Sequence, residues 1–306
     1  MKIAITGANG FVGRQLCPLL VDAGHDVLAL SRDNQGQASG AVAIGDIEHC
    51  DQWARLLKGV DVVIHLAARV HSMDPEGAAD LEQYQRINKD ATLSLAEEAI
   101  RQGVKRFVFL STIKVNGENT VPGQRFANTD QAKPGDAYAL SKWQAEQGLQ
   151  ARCAEAEMEL VVIRPPLVYG PGVSANFQRL MGLARLPLPF ALVNNRRDMV
   201  SVDNLCDLLS LCISHPITAN TVFLVSDGKP YSLATLLATI SRVQGAASLL
   251  WPFPVSLLSA LLTLLGKQAL AQRLLGNLEV DISHTVTTLG WQPPNTLEQT
   301  LRKMHP

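Results

Sequence analysis

A short apolar run over residues 3–6 passes directly into Gly7-Ala8-Asn9-Gly10-Phe11-Val12-Gly13, and a helical pattern over 11–23 follows. Strand, glycine turn and helix in that order constrain the fold more than any other feature of the chain. Glycines permit a tight turn and let the backbone approach a ligand with no Cβ in the way. The helix start presents free N–H groups and the positive end of the helix dipole, which suits a pyrophosphate. The spacing is G-x-x-G-x-x-G rather than G-x-G-x-x-G. The glycines alone are a weak signal, and their place between strand and helix gives them weight.

The first 165 residues continue the alternation. Strands are predicted at 3–6, 26–30, 42–44, 60–66, 106–110 and 160–164, each nearly continuous in Val, Ile, Leu, Ala and Phe, as strands buried on both faces are. Helices are predicted near 11–23, 50–58, 76–102 and 136–157. This pattern predicts an α/β fold: a Rossmann-type, doubly wound parallel sheet. Pro18 falls inside the first helix and is expected to kink it. Prolines 165, 166, 171, 187 and 189 then break the pattern, 222–225 reads as a strand returning to the sheet, and 231–306 reads mainly as helices ending in the Leu289-Gly290-Trp291 turn. The expected division is a dinucleotide-binding domain over 1–170 plus about 192–226. A smaller, mostly helical substrate domain takes about 171–191 plus 227–306.

Bulk properties exclude some classes. The 306 residues carry a net charge of -1 and no long basic run, so nucleic acid is not an expected partner. The five cysteines are scattered and form no C-x-x-C, which predicts a reduced, cytoplasmic setting and no zinc site. The first strand starts too early for a signal peptide to precede it. Residues 246–266 hold no charge, but Pro252 and Pro254 interrupt them. The remainder is shorter than the roughly 20 apolar residues that a membrane span needs. The 246–275 segment is therefore expected to be a buried helical part of the second domain; a subunit contact or a docking surface at the inner membrane is the alternative.

The chemistry centres on Tyr138 and Lys142, four residues apart on one face of the predicted 136–157 helix. A free phenol titrates near 10, and a nearby ammonium is expected to lower that value so that Tyr138 serves as general acid or base. A hydroxyl from Ser111 or Thr112, after the fifth strand, is expected to point into the crevice where such sheets bind ligands. At the end of the second strand stand Ser31-Arg32-Asp33. Arg32 favours the 2′-phosphate of NADP(H), and Asp33 keeps NAD(H) possible.

Taken together, Gly7–Gly13, Gly45-Asp46-Ile47, His65-Leu66-Ala67-Ala68-Arg69, Asn88, Ser111-Thr112, Tyr138/Lys142, Arg164-Pro165-Pro166 and Arg197-Asp198-Met199 resemble an extended short-chain dehydrogenase/reductase of the sugar-nucleotide epimerase/dehydratase group. The resemblance spans nearly the whole chain. It implies catalysis by Thr112, Tyr138 and Lys142. It implies a cofactor cleft lined by Gly7, Asn9, Gly10, Phe11, Val12, Gly13, Ser31, Arg32, Asp46, Ile47, Leu66, Ala67, Ala68, Arg69, Asn88, Lys142 and Pro165, with Asp46 on the adenine amino group. It implies substrate contacts from Ser111, Thr112, Lys114, Tyr138, Asn176 and Arg197, the last two at a diphosphate. Asp203 is expected to be a helix cap.

Departures narrow the reaction. Dehydratases of this group carry Asp-Glu after the active-site Thr, whereas this chain has Ile113-Lys114, so elimination is disfavoured. Epimerases that retain NAD usually have an acidic residue where Ser31 stands. Asn116 replaces the tyrosine of the usual V-Y-G turn. The runs Ser111–Glu118 and Arg164–Val173, with Asn194-Asn195-Arg196-Arg197, resemble bacterial enzymes of surface-polysaccharide assembly. With these departures, that resemblance implies an NADP(H)-preferring 4-ketoreductase acting on a UDP-linked 6-deoxy-N-acetylhexosamine, as a homodimer. A UDP-hexose 4-epimerase with tightly bound NAD is the alternative, and a non-catalytic NADP-binding regulatory protein is the remote one.

Overall fold

The computed structural model describes residues 1–33, 40–70, 77–173, 175–185, 189–191, 193–216, 221–246, 249–251, 264 and 275–305. Its strands are β1 (Lys2–Thr6), β2 (Asp26–Ser31), β3 (Val42–Ala43), β4 (Val62–His65), β5 (Arg106–Leu110), β6 (Glu159–Arg164), β7 (Leu167–Tyr169), β8 (Pro189–Ala191), β9 (Met199–Ser201), β10 (Thr221–Leu224) and β11 (Leu249–Trp251). Seven of them form one parallel sheet in the order β10-β6-β5-β4-β1-β2-β3. The chain order reverses between β1 and β4, which pair with Thr6 opposite His65. A crevice opens beyond the strand carboxyl ends at such a reversal, and it is where doubly wound sheets bind ligands.

Apolar residues fill both faces of the sheet. Ile3, Ile5, Ile64, Val108, Val161 and Ile163 join one core, which includes helices Gly13–Asp22 (α1) and Val202–Ser214. Ala4, Val63, Phe107, Phe109 and Val162 join the opposite core, with helices Trp53–Leu56 (α2), Ala91–Arg101 and Ala137–Ala154. Burying alternate residues on opposite sides explains why the strands read as unbroken apolar runs. A third core gathers Tyr169, Phe177, Met199, Leu236, Leu237, Ile240, Leu297 and Leu301 around the helices at Ala175–Ala184, Leu233–Val243 and Leu297–Met304.

Several expectations change. The α1 helix continues through Pro18 to Asp22. The helix expected over 50–58 contracts to Trp53–Leu56, preceded by a 3₁₀ turn at Ile47–His49. The long helix over 76–102 is split by a π-helical turn at Gln85–Asp90, between Gly77–Tyr84 and Ala91–Arg101. Two three-residue strands, β7 and β9, pair in parallel in a stretch where no strand was predicted. The C-terminal part is not only helical: extended residues near 277–280 bridge to Thr120, Phe126 and Arg197. Among the described residues no helix is long and apolar enough to cross a membrane. Most of the 246–275 segment lies outside the described residues.

Candidate active site

The first turn is built so that only glycine fits at two of its positions. Gly7 has φ +72°, and a Cβ there would meet the Ala67 nitrogen at 2.8 Å. A Cβ on Gly13 would lie 2.4 Å from the Gly7 carbonyl oxygen and 2.7 Å from Ala8. The Gly10 amide donates to the Gly7 carbonyl at 2.8 Å, and no side chain caps the helix that follows. The Asn9 side chain donates to the Asp33 carbonyl at 3.2 Å, while its Oδ1 is buried with no protein partner. A compact backbone cradle with a spare acceptor, set at a helix start beside the β1/β4 reversal, fits a dinucleotide.

The loop after β4 is held from below. Asn88, fully buried in the π-helical turn, accepts from the Arg69 amide at 2.8 Å and donates to the Arg69 carbonyl at 3.1 Å. Its Nδ2 also donates to Ser141 Oγ at 3.0 Å, and Ser141 donates to the Tyr138 carbonyl at 2.8 Å. Asn88 thus spends its side chain on positioning the Ala67–Arg69 backbone against the Tyr138 helix, and reaches a cofactor only through that backbone. π-turns inserted in α-helices often mark functional sites.

Tyr138 and Lys142 stand on α5 (the fifth α-helix, Ala137–Ala154), whose N-cap Asp136 accepts from the Ala139 amide at 2.7 Å. Tyr138 meets Tyr84 edge-on, with ring centroids 6.0 Å apart. Burial pushes the Tyr138 phenol above its usual range, with Asp136 and Tyr84 adding to the effect. This reverses the expected lowering by Lys142. Lys142 is itself buried, and desolvation pushes its ammonium down to about 7 against the opposing pull of Glu146. Its Nζ lies 4.1 Å from the centre of the Phe109 ring.

Thr112 ends β5 in extended conformation and caps a 3₁₀ turn at Ile113–Val115, accepting from the Lys114 amide at 3.3 Å. That turn packs against α5. Ser111 is directed away from the reacting face: its hydroxyl donates to buried Glu146. Glu146 also pairs with Arg164, whose Nε reaches Oε1 at 3.1 Å. Arg164 Nη1 donates to Asn116 Oδ1 at 2.9 Å, and Asn116 donates to the Ala127 carbonyl at 2.9 Å. This network accounts for asparagine at position 116. Sequence reasoning missed Glu146; the available signal was its spacing, one further turn along the face that carries Tyr138 and Lys142.

The NAD dependent epimerase/dehydratase family matches residues 3–225. A UDP-glucose 4-epimerase from Vibrio cholerae is 43% identical over 303 residues, covering 97% of this chain and 92% of its own. The chain belongs to this family. It is an NAD(P)-dependent enzyme of the extended short-chain dehydrogenase/reductase type. A 2-alkyl-3-oxoalkanoate reductase from Stenotrophomonas maltophilia is 30% identical over 260 residues, 80% of this chain and 76% of its own. Among solved structures, UDP-glucose 4-epimerase with UDP-glucose from Thermotoga maritima superposes with a TM-score of 0.79 at 22% identity, covering 99% of this chain and 97% of the other. UDP-glucuronic acid 4-epimerase from Bacillus cereus in complex with NAD gives 0.78 at 21% identity with the same coverage. These two likenesses establish the fold.

Against this family pattern, the remaining predicted residues divide. Ser31 is buried and gives its hydroxyl to the Asp33 carbonyl at 2.7 Å, leaving Arg32 and Asp33 exposed at the strand end. Asp46 is exposed and precedes the Ile47–His49 turn. Pro165 uses its carbonyl on the Ile113 amide at 2.9 Å. Lys114, expected to meet substrate, instead pairs with Asp136 and with Glu118 at 3.2 Å, tying its turn to the start of α5. Arg197 Nη1 donates to the Gly276 carbonyl at 3.0 Å, and its backbone bridges to Tyr231 and Leu278. Asn176 lies in the first turn of Ala175–Ala184, and its side chain lies outside the described residues. Ser201, not Asp203, caps Val202–Ser214; Asp203 pairs with Lys303 at 2.6 Å. A cavity of about 330 Å³ lies apart from Tyr138, between Pro171–Val173, Met181, Arg185 and Lys303.

Proposed function

We propose that this protein is an NADP(H)-preferring reductase of the C4 keto group of a UDP-linked 6-deoxy-N-acetylhexosamine, of the UDP-N-acetylquinovosamine type, serving surface-polysaccharide biosynthesis in the cytoplasm. The observation that carries the reading is the half-buried Tyr138 one helical turn before buried Lys142 on α5, where desolvation raises the phenol above its usual range and so favours its protonated form. Reduction needs a proton donor at the new alkoxide, and Tyr138 stands in that form. The Gly7–Gly13 turn would hold the pyrophosphate of a nicotinamide dinucleotide, which would supply the hydride. Thr112 orients the reacting oxygen, Tyr138 delivers its proton to it, and Lys142 stabilises the phenolate left behind. Elimination finds no acid/base pair after Thr112, because Ile113 is buried and Lys114 is engaged by Asp136 and Glu118.

Cofactor preference follows from the second strand. Ser31 turns inward, and the exposed Arg32 offers a charge-assisted partner for a 2′-phosphate. A second reading, a UDP-hexose 4-epimerase that retains NAD, is favoured by the 43% identical relative from Vibrio cholerae and by exposed Asp33. The two differ in net redox. Cofactor extracted from the purified protein, then a panel of UDP-4-keto sugars with NADPH and NADH read by nicotinamide absorbance, separates them. Stoichiometric bound NAD with interconversion of UDP-glucose and UDP-galactose overturns the reductase reading. We also propose a homodimer, with the 246–275 segment as a buried helical part of the second domain and a subunit or inner-membrane contact as the alternative. Flotation of the purified protein with lipid vesicles tests the membrane contact, and absence from the lipid fraction ends it.

A further inference from the structure

We propose that Glu146 is a positioning residue of the reaction centre. It holds the turn carrying Thr112 against the helix carrying Tyr138 and Lys142, and it places a fixed negative charge one helical turn beyond Lys142. The proposal rests on the reading of Thr112, Tyr138 and Lys142 as the reacting set.

Residues at i, i+4 and i+8 share a helix face, so Tyr138, Lys142 and Glu146 stack along one side of α5. Glu146 is completely buried. A carboxylate so placed is costly unless it is paired and hydrogen-bonded. Here it receives Ser111 Oγ, Arg164 Nε and Arg164 Nη2. A pair serving stability alone needs only Arg164 and Glu146. The added bond to Ser111 ties the residue just before Thr112 to α5. On the other side of Thr112, Lys114 is tied to Asp136 at the start of the same helix. Thr112 lies between these two ties on the turn, and Tyr138 and Lys142 lie between the same two ties on the helix. Arg164 extends the brace through Asn116 to the Ala127 carbonyl.

The charge has a second effect. Glu146 favours the ammonium form of Lys142 and opposes the desolvation that drives it toward neutrality. Other groups around Lys142 leave that role to Glu146. His65 stacks on Phe109 and is uncharged in its buried setting. Tyr138 and Tyr84 are neutral phenols, Lys114 and Asp136 neutralise each other at the helix start, and Arg164 lies beyond Glu146.

Glu146→Gln leaves Arg164 buried without its counter-charge and invites misfolding. The test therefore uses Glu146→Gln/Arg164→Met, which removes both charges together, and Ser111→Ala, which removes the hydroxyl tie and spares the ion pair. Tyr138→Phe is the reference, and the assay is whichever turnover the cofactor and sugar panel yields. In the double variant NADPH binding, followed by fluorescence, keeps full stoichiometry, and the sugar KM stays within about threefold, because the ground-state contacts remain. Its kcat falls about tenfold or more through misplacement of the reacting groups. The alkaline limb of its kcat profile moves to lower pH. In Ser111→Ala kcat falls about threefold with that limb unmoved. A wild-type kcat in the folded double variant, or in Ser111→Ala where the double variant does not fold, overturns the proposal. Turnover surviving in Tyr138→Phe instead removes the reading beneath it, and the proposal with it.

Discussion

The ammonium of Lys142 lies 4.1 Å from the centre of the Phe109 ring, and that same ring stacks with His65 at 5.8 Å. The arrangement needs a neutral imidazole, and the hydrogen bonds supply one. Thr92 Oγ1 gives its proton to the Asn88 carbonyl at 2.9 Å, so His65 Nε2 donates to Thr92 at 2.8 Å. Nδ1 then accepts from Thr6 Oγ1 at 2.6 Å, and Thr6 Oγ1 accepts from the Ala67 amide at 3.3 Å. Burial, with Lys142 adding repulsion, pushes His65 down to about 3.

That neutral histidine makes the protein acid-sensitive. Between the ordinary histidine value and the native value, the unfolded chain takes up a proton that the native chain refuses. Stability therefore falls as pH drops from about 6.5 to about 3, by up to about 1.4 kcal/mol per pH unit for this one site. Urea unfolding followed at several pH values measures the slope. His65→Gln has a lower stability at neutral pH and a slope shallower by about one proton, so the two proteins converge in acid. Equal slopes in the two proteins remove His65 as the cause.

Glycine substitutions separate close approach from backbone strain. Gly13→Ala drives a Cβ into the Gly7 carbonyl at 2.4 Å, and neither atom belongs to a flexible side chain. Gly24 has φ +83° but nothing within 4 Å of a built Cβ. Gly24→Ala therefore costs only the left-handed penalty of about 1–2 kcal/mol and keeps NADPH affinity. Gly13→Ala loses cofactor binding and has the lower melting temperature. Thermal melts with NADPH fluorescence compare them, and equal cofactor affinity refutes the close-approach argument.

The sheet was legible in the sequence because strands buried on both faces carry unbroken apolar runs; Ile3, Ala4 and Ile5 already display both faces. The three-residue strands Leu167–Tyr169 and Met199–Ser201 were not, since three residues hold no period and the preceding prolines suggest loop. The site was legible where local spacing carries meaning, as in Gly7–Gly13 and Tyr138/Lys142. It was less legible where a partner lies far along the chain. Lys114 looks like a free cation until Asp136 closes on it, and Ser111 looks equivalent to Thr112 until Glu146 claims its hydroxyl.

Arg32 offers a direct test of cofactor choice. The residue is exposed at the end of β2, beside an inward-turned Ser31. Arg32→Asp removes the charge available to a 2′-phosphate and adds an acceptor suited to a 2′-hydroxyl. The KM for NADPH rises at least about tenfold, as expected for loss of a charge-assisted contact, while that for NADH changes little or falls. Equal changes for the two cofactors place the 2′ position elsewhere.

Asn88 acts through the backbone it holds, which makes its loss diagnostic. Its side chain joins the Arg69 amide and carbonyl to Ser141, which bonds the Tyr138 carbonyl. Asn88→Ala removes the partner of the part-buried Arg69 amide and carbonyl, at up to about 1–3 kcal/mol for each left unsatisfied. Melting temperature drops by several degrees, and cofactor affinity falls because Ala67 packs against the Gly7 turn. Asn88→Asp keeps the acceptor for the Arg69 amide, but it loses both donors and buries a charge. It is therefore the more destabilised of the two at neutral pH, and the gap between them narrows as acid protonates the new carboxylate. Denaturant unfolding at neutral and mildly acidic pH reads that gap. A gap that does not change with pH shows that the position 88 side chain is not desolvated as the packing requires.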